Sequence, residues 1–235
     1  MAGPTLFVSV FAYALHKTTG GAAFNAVVQQ ELAAGELATW SCFRTLNRLR
    51  RYYDVGLMLD GSTLIAKARS RAVGAFLASG ADVWVSIDDD VEASPEALCH
   101  LVDSARALGI VSTAIYARES DRVNIDLPQG ETFMRHIGAA NLVNVTSIGV
   151  SLAAFARPAV ERMVEFYPEL AFQEDPAGVM GSGLFLEHVE DGRWVGEDVM
   201  FCRRAQGCSV PIYALCDHPV MHAGRPYTLT LLTDS

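Results

Sequence analysis

Short apolar runs alternate along this chain with stretches in which apolar residues recur at helical spacing. The apolar runs predict strands at 6–10, 55–59, 83–87, 110–116 and 210–214. The helical spacing predicts helices at 22–34, 62–79, 95–108, 157–166 and 197–206. Helices and strands that alternate in this way indicate an α/β protein with a mostly parallel central sheet.

Turn and cap residues mark the boundaries of the central helices. Gly80 and Gly109 each follow a helical stretch, where a glycine commonly ends a helix. Ser94 and Pro95 offer an N-cap and a first helical position for the helix at 95–108. A helix is therefore expected directly before the strand at 83–87, and another directly after the acidic residues that follow it.

The pattern is weaker elsewhere. We predict a second strand over 37–43, a hairpin or loop insertion over 117–144 and a strand over 143–152. The glycine-rich stretch at 172–196 predicts a mobile loop over a site, and 217–227 reads as a tail. Four arginines between 44 and 51 predict an exposed helix face or turn, with a phosphate contact as the alternative. Because there is no repeat or linker, we expect one domain over 1–235, with a nucleotide-binding half at 1–116 and an acceptor-binding half at 117–235.

The strand at 83–87 delivers Asp88, Asp89 and Asp90 at its carboxyl end. Adjacent carboxylates repel one another, so a packed fold rarely holds them together without a cation or a basic partner. In open α/β sheets, ligands bind in the crevice beyond the carboxyl ends of the strands. An Asp-x-Asp pair at this position suits a divalent ion that also holds a phosphate.

These acids have three other interpretations. The first is a solvated acidic turn before a helix. The second is a calcium loop, but the required glycine is Ala93 and the closing glutamate is Cys99, so the EF-hand pattern fails. The third is a resemblance to haloacid-dehalogenase-like phosphatases, which carry their motif near the N-terminus.

Composition narrows the class of protein. The chain has 235 residues, is 51% hydrophobic and carries a net charge of −9, which counts against a broad nucleic-acid surface. Apolar runs are shorter than the ~20 residues of a membrane span, and the first residues lack the pattern of a signal peptide. Five cysteines without paired ligand spacing predict reduced thiols and a cytoplasmic protein.

Taken in order, several motifs resemble those of family 2-like glycosyltransferases with the GT-A fold. They are the opening strand Val8–Tyr13, the helix from Ser62 with Arg69, the Asp88–Asp90 strand end, Gly149–Leu152 followed by Arg157, the segment Gly196–Arg204, and Val220–Gly224 with His222. The resemblance spans most of the chain, and the conjunction of motifs is more specific than any one of them. It implies a GT-A (Rossmann-like) three-layer sandwich.

The resemblance also implies a reaction and its residues. A sugar would move from a nucleoside-diphosphate sugar of UDP or GDP type to an acceptor hydroxyl, with Mn²⁺ or Mg²⁺ bound. Asp88, Asp90 and His222 would hold the metal. Asp198 would be the general base and Glu197 would orient the site. The donor nucleotide would contact a set drawn from several elements: Ser9, Phe11, Asp60, Arg69, Asp88 and Asp89.

Each assignment has a simpler alternative. Glu197 and Asp198 would also be favoured at a helix start by the macrodipole alone, Asp60 would also cap a turn, and His222 would also suit a surface tail. His218 has no motif support. One base with direct displacement implies inversion at the anomeric carbon, with a retaining mechanism as the alternative. The other functions are a phage-type DNA-modifying glycosyltransferase acting on hydroxymethylated bases and a nucleotide-binding regulatory domain.

Overall fold

The fold is described from a computed structural model over residues 4–11, 41–60, 62, 64–115, 123–129, 134–174, 178–222 and 225–227. Its main sheet has eight strands: β1 (Thr5–Phe11), β2 (Asp54–Asp60), β3 (Val83–Asp88), β5 (Ile110–Thr113), β7 (Met134–Ile137), β8 (Ala140–Asn144), β10 (Leu152–Ala156) and β15 (Ile212–Cys216). The helices are α1 (Ser41–Leu49), α2 (Ile65–Ser79), α3 (Pro95–Leu108), α4 (Arg157–Phe166) and α5 (Glu197–Gly207).

The strands of the main sheet lie in the order β2-β1-β3-β10-β5-β15-β8-β7. β1 pairs in parallel with β2 and β3, and β5 pairs in parallel with β15. β10 is antiparallel to both β3 and β5, so these two strands also share a direction. The predicted α/β class with a mostly parallel central sheet is thus confirmed, with antiparallel pairs at β10 and at the β8 side.

Helices cover both faces of this sheet. Side chains alternate along β3, so that Val83, Val85 and Ile87 pack with α1 and α3, while Trp84 packs with α2, α4 and α5. The indole of Trp84 stacks on Phe155 of β10 at 4.4 Å between ring centroids. Because both faces are covered, the strand reads as a continuous apolar run. The predicted three layers are confirmed.

Shorter strands complete the fold. β6 (Ile125–Asp126) pairs with β9 (Ser147–Ile148), and β11 (Ala171–Phe172) pairs with β12 (Gly181–Ser182). β13 (His188–Glu190) and β14 (Arg193–Val195) form a hairpin. β4 (Val91–Ala93), β16 (Val220–His222) and β17 (Arg225–Tyr227) form a three-stranded sheet. A 3₁₀ turn spans Pro168–Leu170.

The predicted helix boundaries hold for α3. The Ser94 hydroxyl accepts a hydrogen bond from the Ala97 amide at 3.1 Å, and Pro95 begins the helix. Gly80 adopts a left-handed conformation (φ 75°) directly after α2. At these positions the cap chemistry read from the sequence matches the structure.

Four sequence predictions need correction. The predicted strand at 37–43 is helical from Ser41 onward, because Cys42, Leu46 and Leu49 form a buried helical stripe on the sheet. The predicted strand at 143–152 is divided among the end of β8, β9 and the start of β10. The described parts of 172–196 form strand pairs rather than one irregular loop, and the tail at 217–227 contains two strands. The predicted helix at 22–34 lies outside the described residues.

None of the helices in the described ranges combines the length and the apolar content needed to cross a bilayer.

Candidate functional site

Three strand ends meet at one edge of the main sheet. Phe11, the last residue of β1, lies opposite Asp60 in β2 and opposite Asp88 in β3. Because the three strands are parallel, their carboxyl ends open on the same side. The structure therefore brings together two predicted acids, Asp60 and Asp88, on either side of Phe11.

Arg69 of α2 joins this edge to the start of α5. Its Nη2 donates to Asp88 Oδ1 at 3.1 Å and Oδ2 at 3.3 Å. Its Nη1 donates to Glu197 Oε1 at 2.9 Å and to Asp198 Oδ1 at 2.6 Å. The guanidinium carbon lies 5.7 Å from the centre of the Phe11 ring. We call Arg69 and these three carboxylates the arginine cluster.

Burial and the three carboxylates act in opposite directions on the Arg69 charge. The Arg69 side chain is only 3% exposed. Burial opposes its charge, but Asp198, Asp88 and Glu197 outweigh that effect and raise the guanidinium pKa above its ordinary value. Arg69 Nε is buried and has no hydrogen-bond partner among the described atoms. The cluster is thus a preformed, charged group of side chains with one buried donor unsatisfied.

Asp198 is a buried carboxyl whose pKa is raised. Burial raises its pKa to about 6; Arg69 acts in the opposite direction, and Glu197 and Asp88 raise it further. The amide of Val150 donates to Asp198 Oδ2 at 3.3 Å. The groups that donate to Asp198, Arg69 and the Val150 amide, lie outside α5, whose N-cap is Gly196. A carboxyl that titrates close to neutral pH suits proton abstraction better than helix capping.

The C-terminal strand folds back onto the acidic turn. β16 pairs with β4, which places His222 opposite Val91. His222 Nε2 then lies 3.5 Å from Asp90 Oδ1, and the residue is 5% exposed. The predicted approach of His222 to the acids is therefore present in the structure, and Asp89 is buried in the same turn.

Asp90 and His222 are close enough to share a divalent ion, but among the described residues no ligand atom of Asp88 completes a group of three within 4.8 Å with them. Two ligand atoms on neighbouring corners of an octahedron lie about 3 Å apart, given metal–oxygen distances of about 2.0–2.1 Å, and the pair Asp90 and His222 is close to this value. Carboxylate and imidazole together suit Mn²⁺ better than Ca²⁺. Both Asp88 oxygens accept hydrogen bonds from Arg69, so Asp88 would have to give up part of that contact to become a ligand.

Asp60 is held by basic and backbone groups. Its Oδ2 accepts from Arg71 Nη2 at 2.5 Å and its Oδ1 from the Ser62 amide at 2.8 Å. Glu174 also accepts from Arg71, at 3.1 Å, and pairs with Lys67. The turn-capping interpretation of Asp60 thus has a direct contact behind it, and its role toward a nucleobase stays a prediction.

Ser9 and Phe11 lie on one face of β1. The Ser9 hydroxyl accepts from Trp84 Nε1 at 2.8 Å and is fully buried in the sheet. Phe11 is 5% exposed and packs in the same apolar layer, beside Arg69. In this structure both residues support the sheet edge from within, and their contacts to a nucleotide stay predictions.

Two of the arginines at 44–51 have a structural partner. Arg44 Nε and Nη2 donate to Glu92 Oε2 at 2.8 and 2.6 Å, and Arg48 Nη2 lies 2.8 Å from Glu92 Oε1. Arg48 Nη1 also donates to the Ala93 carbonyl at 2.6 Å. These contacts fix α1 against β4, close to the acidic turn, and explain the charge of this helix without a phosphate.

Two neighbouring cavities were not foreseen from the sequence. One, of about 280 Å³, is lined by Asp198, Val199 and the β6 and β9 strands. The other, of about 620 Å³, lies between the β13–β14 hairpin and α5, and is lined among others by Trp194 and Val199. Val199 borders both, and Asp198 lines the smaller of the two. The hairpin had a readable signal, because Asp191-Gly192 between β-rich residues favours a tight turn.

Comparisons by sequence give no family: no protein-family model matches the chain, and no curated protein matches it. Solved structures do match. The protein A197 from STIV is similar over 99% of this chain and 97% of its own, at 14% identity and a TM-score of 0.51. GalNAc-T7, solved with UDP, GalNAc and Mn²⁺, is similar over 93% of this chain and 43% of its own, at 12% identity and a TM-score of 0.46.

A third structure, 2-C-methyl-D-erythritol 4-phosphate cytidylyltransferase from Thermus thermophilus, is similar over 91% of this chain and 88% of its own, at 12% identity and a TM-score of 0.41. Of these three structures, A197 has a TM-score above 0.5. The comparison with A197 shows that the α/β architecture described here is shared with that protein over nearly the full length of both.

Proposed function

We propose that this protein is a metal-dependent glycosyltransferase, which moves a sugar from a nucleoside-diphosphate sugar to an acceptor hydroxyl. The observation that carries the proposal is the arginine cluster. One buried guanidinium connects the acid at the end of β3 with the carboxylate pair at the start of α5. Sugar transfer needs a site that stabilises the leaving diphosphate, and next to it a base that takes the proton of the acceptor hydroxyl.

The donor side is formed by the sheet edge and the acidic turn. Asp88, Asp90 and His222 would hold Mn²⁺ or Mg²⁺, which when bound neutralises the charge that develops on the leaving diphosphate. Arg69 Nε is buried and lacks a hydrogen-bond partner among the described atoms, so a phosphate oxygen would reach the guanidinium only after a change in its side-chain contacts. Asp60 and Asp89 are at the same edge for contacts to the nucleoside.

The acceptor side is formed by Asp198 and the cavities beside it. The acceptor oxygen forms a bond to the anomeric carbon while the bond from that carbon to the diphosphate oxygen breaks. The acceptor proton passes to the Asp198 carboxylate. Attack from the side opposite the leaving group inverts the anomeric carbon. Glu197, which shares Arg69 Nη1 with Asp198, would keep the guanidinium in place during the transfer.

A donor screen tests this function. The full chain is incubated with UDP- and GDP-sugars, with and without Mn²⁺, and the melting temperature and the release of nucleoside diphosphate are both followed. A ligand that binds only the folded state raises its melting point. We expect a metal-dependent rise with one donor class, together with slow donor hydrolysis that needs Asp198.

The two readouts separate the alternatives. A metal-dependent rise without release of diphosphate, for any acceptor offered, would favour a nucleotide-binding regulatory domain. No rise with any nucleotide in either metal condition would overturn the proposal.

A further inference from the structure

Two histidines and a glutamate meet on the side of α3, away from the arginine cluster. Glu96 and His100 are four residues apart on α3 and therefore lie on one face of the helix. His218 comes from the segment between β15 and β16. One potential ligand atom from each of the three lies within 4.8 Å of the others, and His100 Nδ1 is 2.7 Å from His218 Nε2.

This group has the chemistry of a transition-metal site. Two imidazoles and one carboxylate form a known zinc ligand set, which leaves a fourth position for water. At zinc–nitrogen distances of about 2.0–2.1 Å, two nitrogens in tetrahedral geometry are about 3.3 Å apart. The two rings, tilted by 60° to each other, would therefore need to separate by less than about 1 Å to admit an ion. A hydrogen bond between the two rings satisfies the same nitrogens when no ion is bound.

We propose that Glu96, His100 and His218 form a binding site for a divalent transition metal of the zinc class. The site would fasten the start of β16 to α3. This position has a mechanical consequence, because β4 leads into α3 and also pairs with β16. A metal at this point closes a loop of contacts running from α3 through β4 and β16 to His218. It would fix the register that brings His222 to Asp90.

The proposal stands apart from sugar transfer, because none of its three ligands belongs to the arginine cluster or to the Asp90–His222 pair. A failure of the donor screen would leave it unaffected. The test must nevertheless separate this site from the Asp90–His222 pair, because His218 precedes β16 and His222 ends it.

The test is a metal titration of the tag-free full chain after removal of metal with EDTA. Zn²⁺ binding is measured by calorimetry, and Co²⁺ binding by its visible absorption, which reports coordination geometry. Wild type and Asp90→Ala should each bind one equivalent of Zn²⁺ at this site. His100→Ala and His218→Ala should lose that equivalent. Removal of a group that merely orients a metal ligand costs about 10–100-fold in metal affinity, so loss of a direct ligand should weaken binding by at least about 100-fold.

Two further variants serve as controls. His188→Ala removes an exposed histidine on β13, and should bind Zn²⁺ like wild type. His218→Asn keeps a polar side chain in the segment, and its circular dichroism shows whether the fold is retained. If wild type binds no Zn²⁺, or if the His100 and His218 variants bind it as tightly as wild type does, the proposal is wrong.

Discussion

Replacement of Asp198 by asparagine separates catalysis from folding at this site. The amide keeps the size of the side chain and an oxygen for the Val150 amide, but it cannot accept the acceptor proton. General-base catalysis contributes ~10²–10⁴-fold, so turnover should fall by that amount in Asp198→Asn. Donor affinity should change little, because the base acts on the acceptor.

The pH dependence gives a second, independent measure. Burial raises the Asp198 pKa to about 6, so the wild-type rate should fall about tenfold per pH unit below that value. The residual rate of the Asn variant should lack this acidic limb. In Glu197→Gln the limb should move to lower pH, because the negative charge of Glu197 raises the Asp198 pKa.

Stability should respond in the opposite direction to activity. The folded pKa of Asp198, about 6, lies above its ordinary value of 3.8, so the folded state binds this proton more tightly than the unfolded state does. The resulting stabilisation is complete below about pH 3.8 and is lost as the pH rises through about 6. At about pH 8, Asp198→Asn should therefore unfold at an equal or higher urea concentration than wild type.

The assays are sugar transfer, or donor hydrolysis where the acceptor is unknown, and urea unfolding followed by circular dichroism. Glu165→Gln, an exposed acid on α4 outside the cluster and the cavities, is the matched control for both. Wild-type turnover in Asp198→Asn, or an acidic limb unchanged by the substitution, would refute the role of Asp198 as base.

Three further substitutions test other parts of the structure. Arg69→Met leaves three carboxylates close together without their cation, and breaking a buried pair of this kind costs about 3–5 kcal/mol. Urea unfolding at about pH 8 should show this loss of stability. A loss below about 1 kcal/mol would contradict the burial of the cluster. Asp90→Ala should abolish metal-dependent binding of nucleoside diphosphate while the fold survives, and calorimetry that finds the affinity unchanged would remove Asp90 as a ligand. Gly74→Ala should lower the melting temperature, because the added Cβ would overlap the Met180 carbonyl oxygen. Helix propensity alone predicts the opposite, since alanine is the better helix former by about 0.5–1 kcal/mol. A higher melting temperature would therefore show that α2 is not packed in this way.

The acidic turn could be predicted from the sequence because local features determine it. An apolar strand runs directly into Asp88, and the Ser94-Pro95 pair fixes the start of the next helix. Each of these signals lies within a few residues of the element it predicts. The α/β class follows from the same local patterns.

The arginine cluster could not be derived in this way. Arg69 is separated from Asp198 by 129 positions, and no local spacing says that their side chains meet. The pairing of His100 with His218 across 118 positions has the same character. The motif order places Asp198 and His222 near the sheet edge, but only the fold shows that Arg69 is surrounded by carboxylates.

Some errors have a readable cause. The apolar residues from Ser41 onward resemble a strand when they are counted as a run, although Cys42, Leu46 and Leu49 recur at helical spacing. The β13–β14 turn has positive φ at Asp191 and Gly192, 49° and 72°, as an Asp-Gly hairpin turn requires. In both cases the sequence contains a local signal for the observed structure, beside a coarser pattern that predicts a different one.

The arginine cluster also limits how this chain can diverge. Arg69 lies among three carboxylates from two other elements, so replacement of Arg69 alone leaves these acids without their cation. Residues bound in one network are not independent in their effects. Descendants that keep the fold for another purpose are therefore expected to lose Arg69 together with its acidic partners, and an alignment of relatives should show Arg69 retained wherever Asp88, Glu197 and Asp198 are all present.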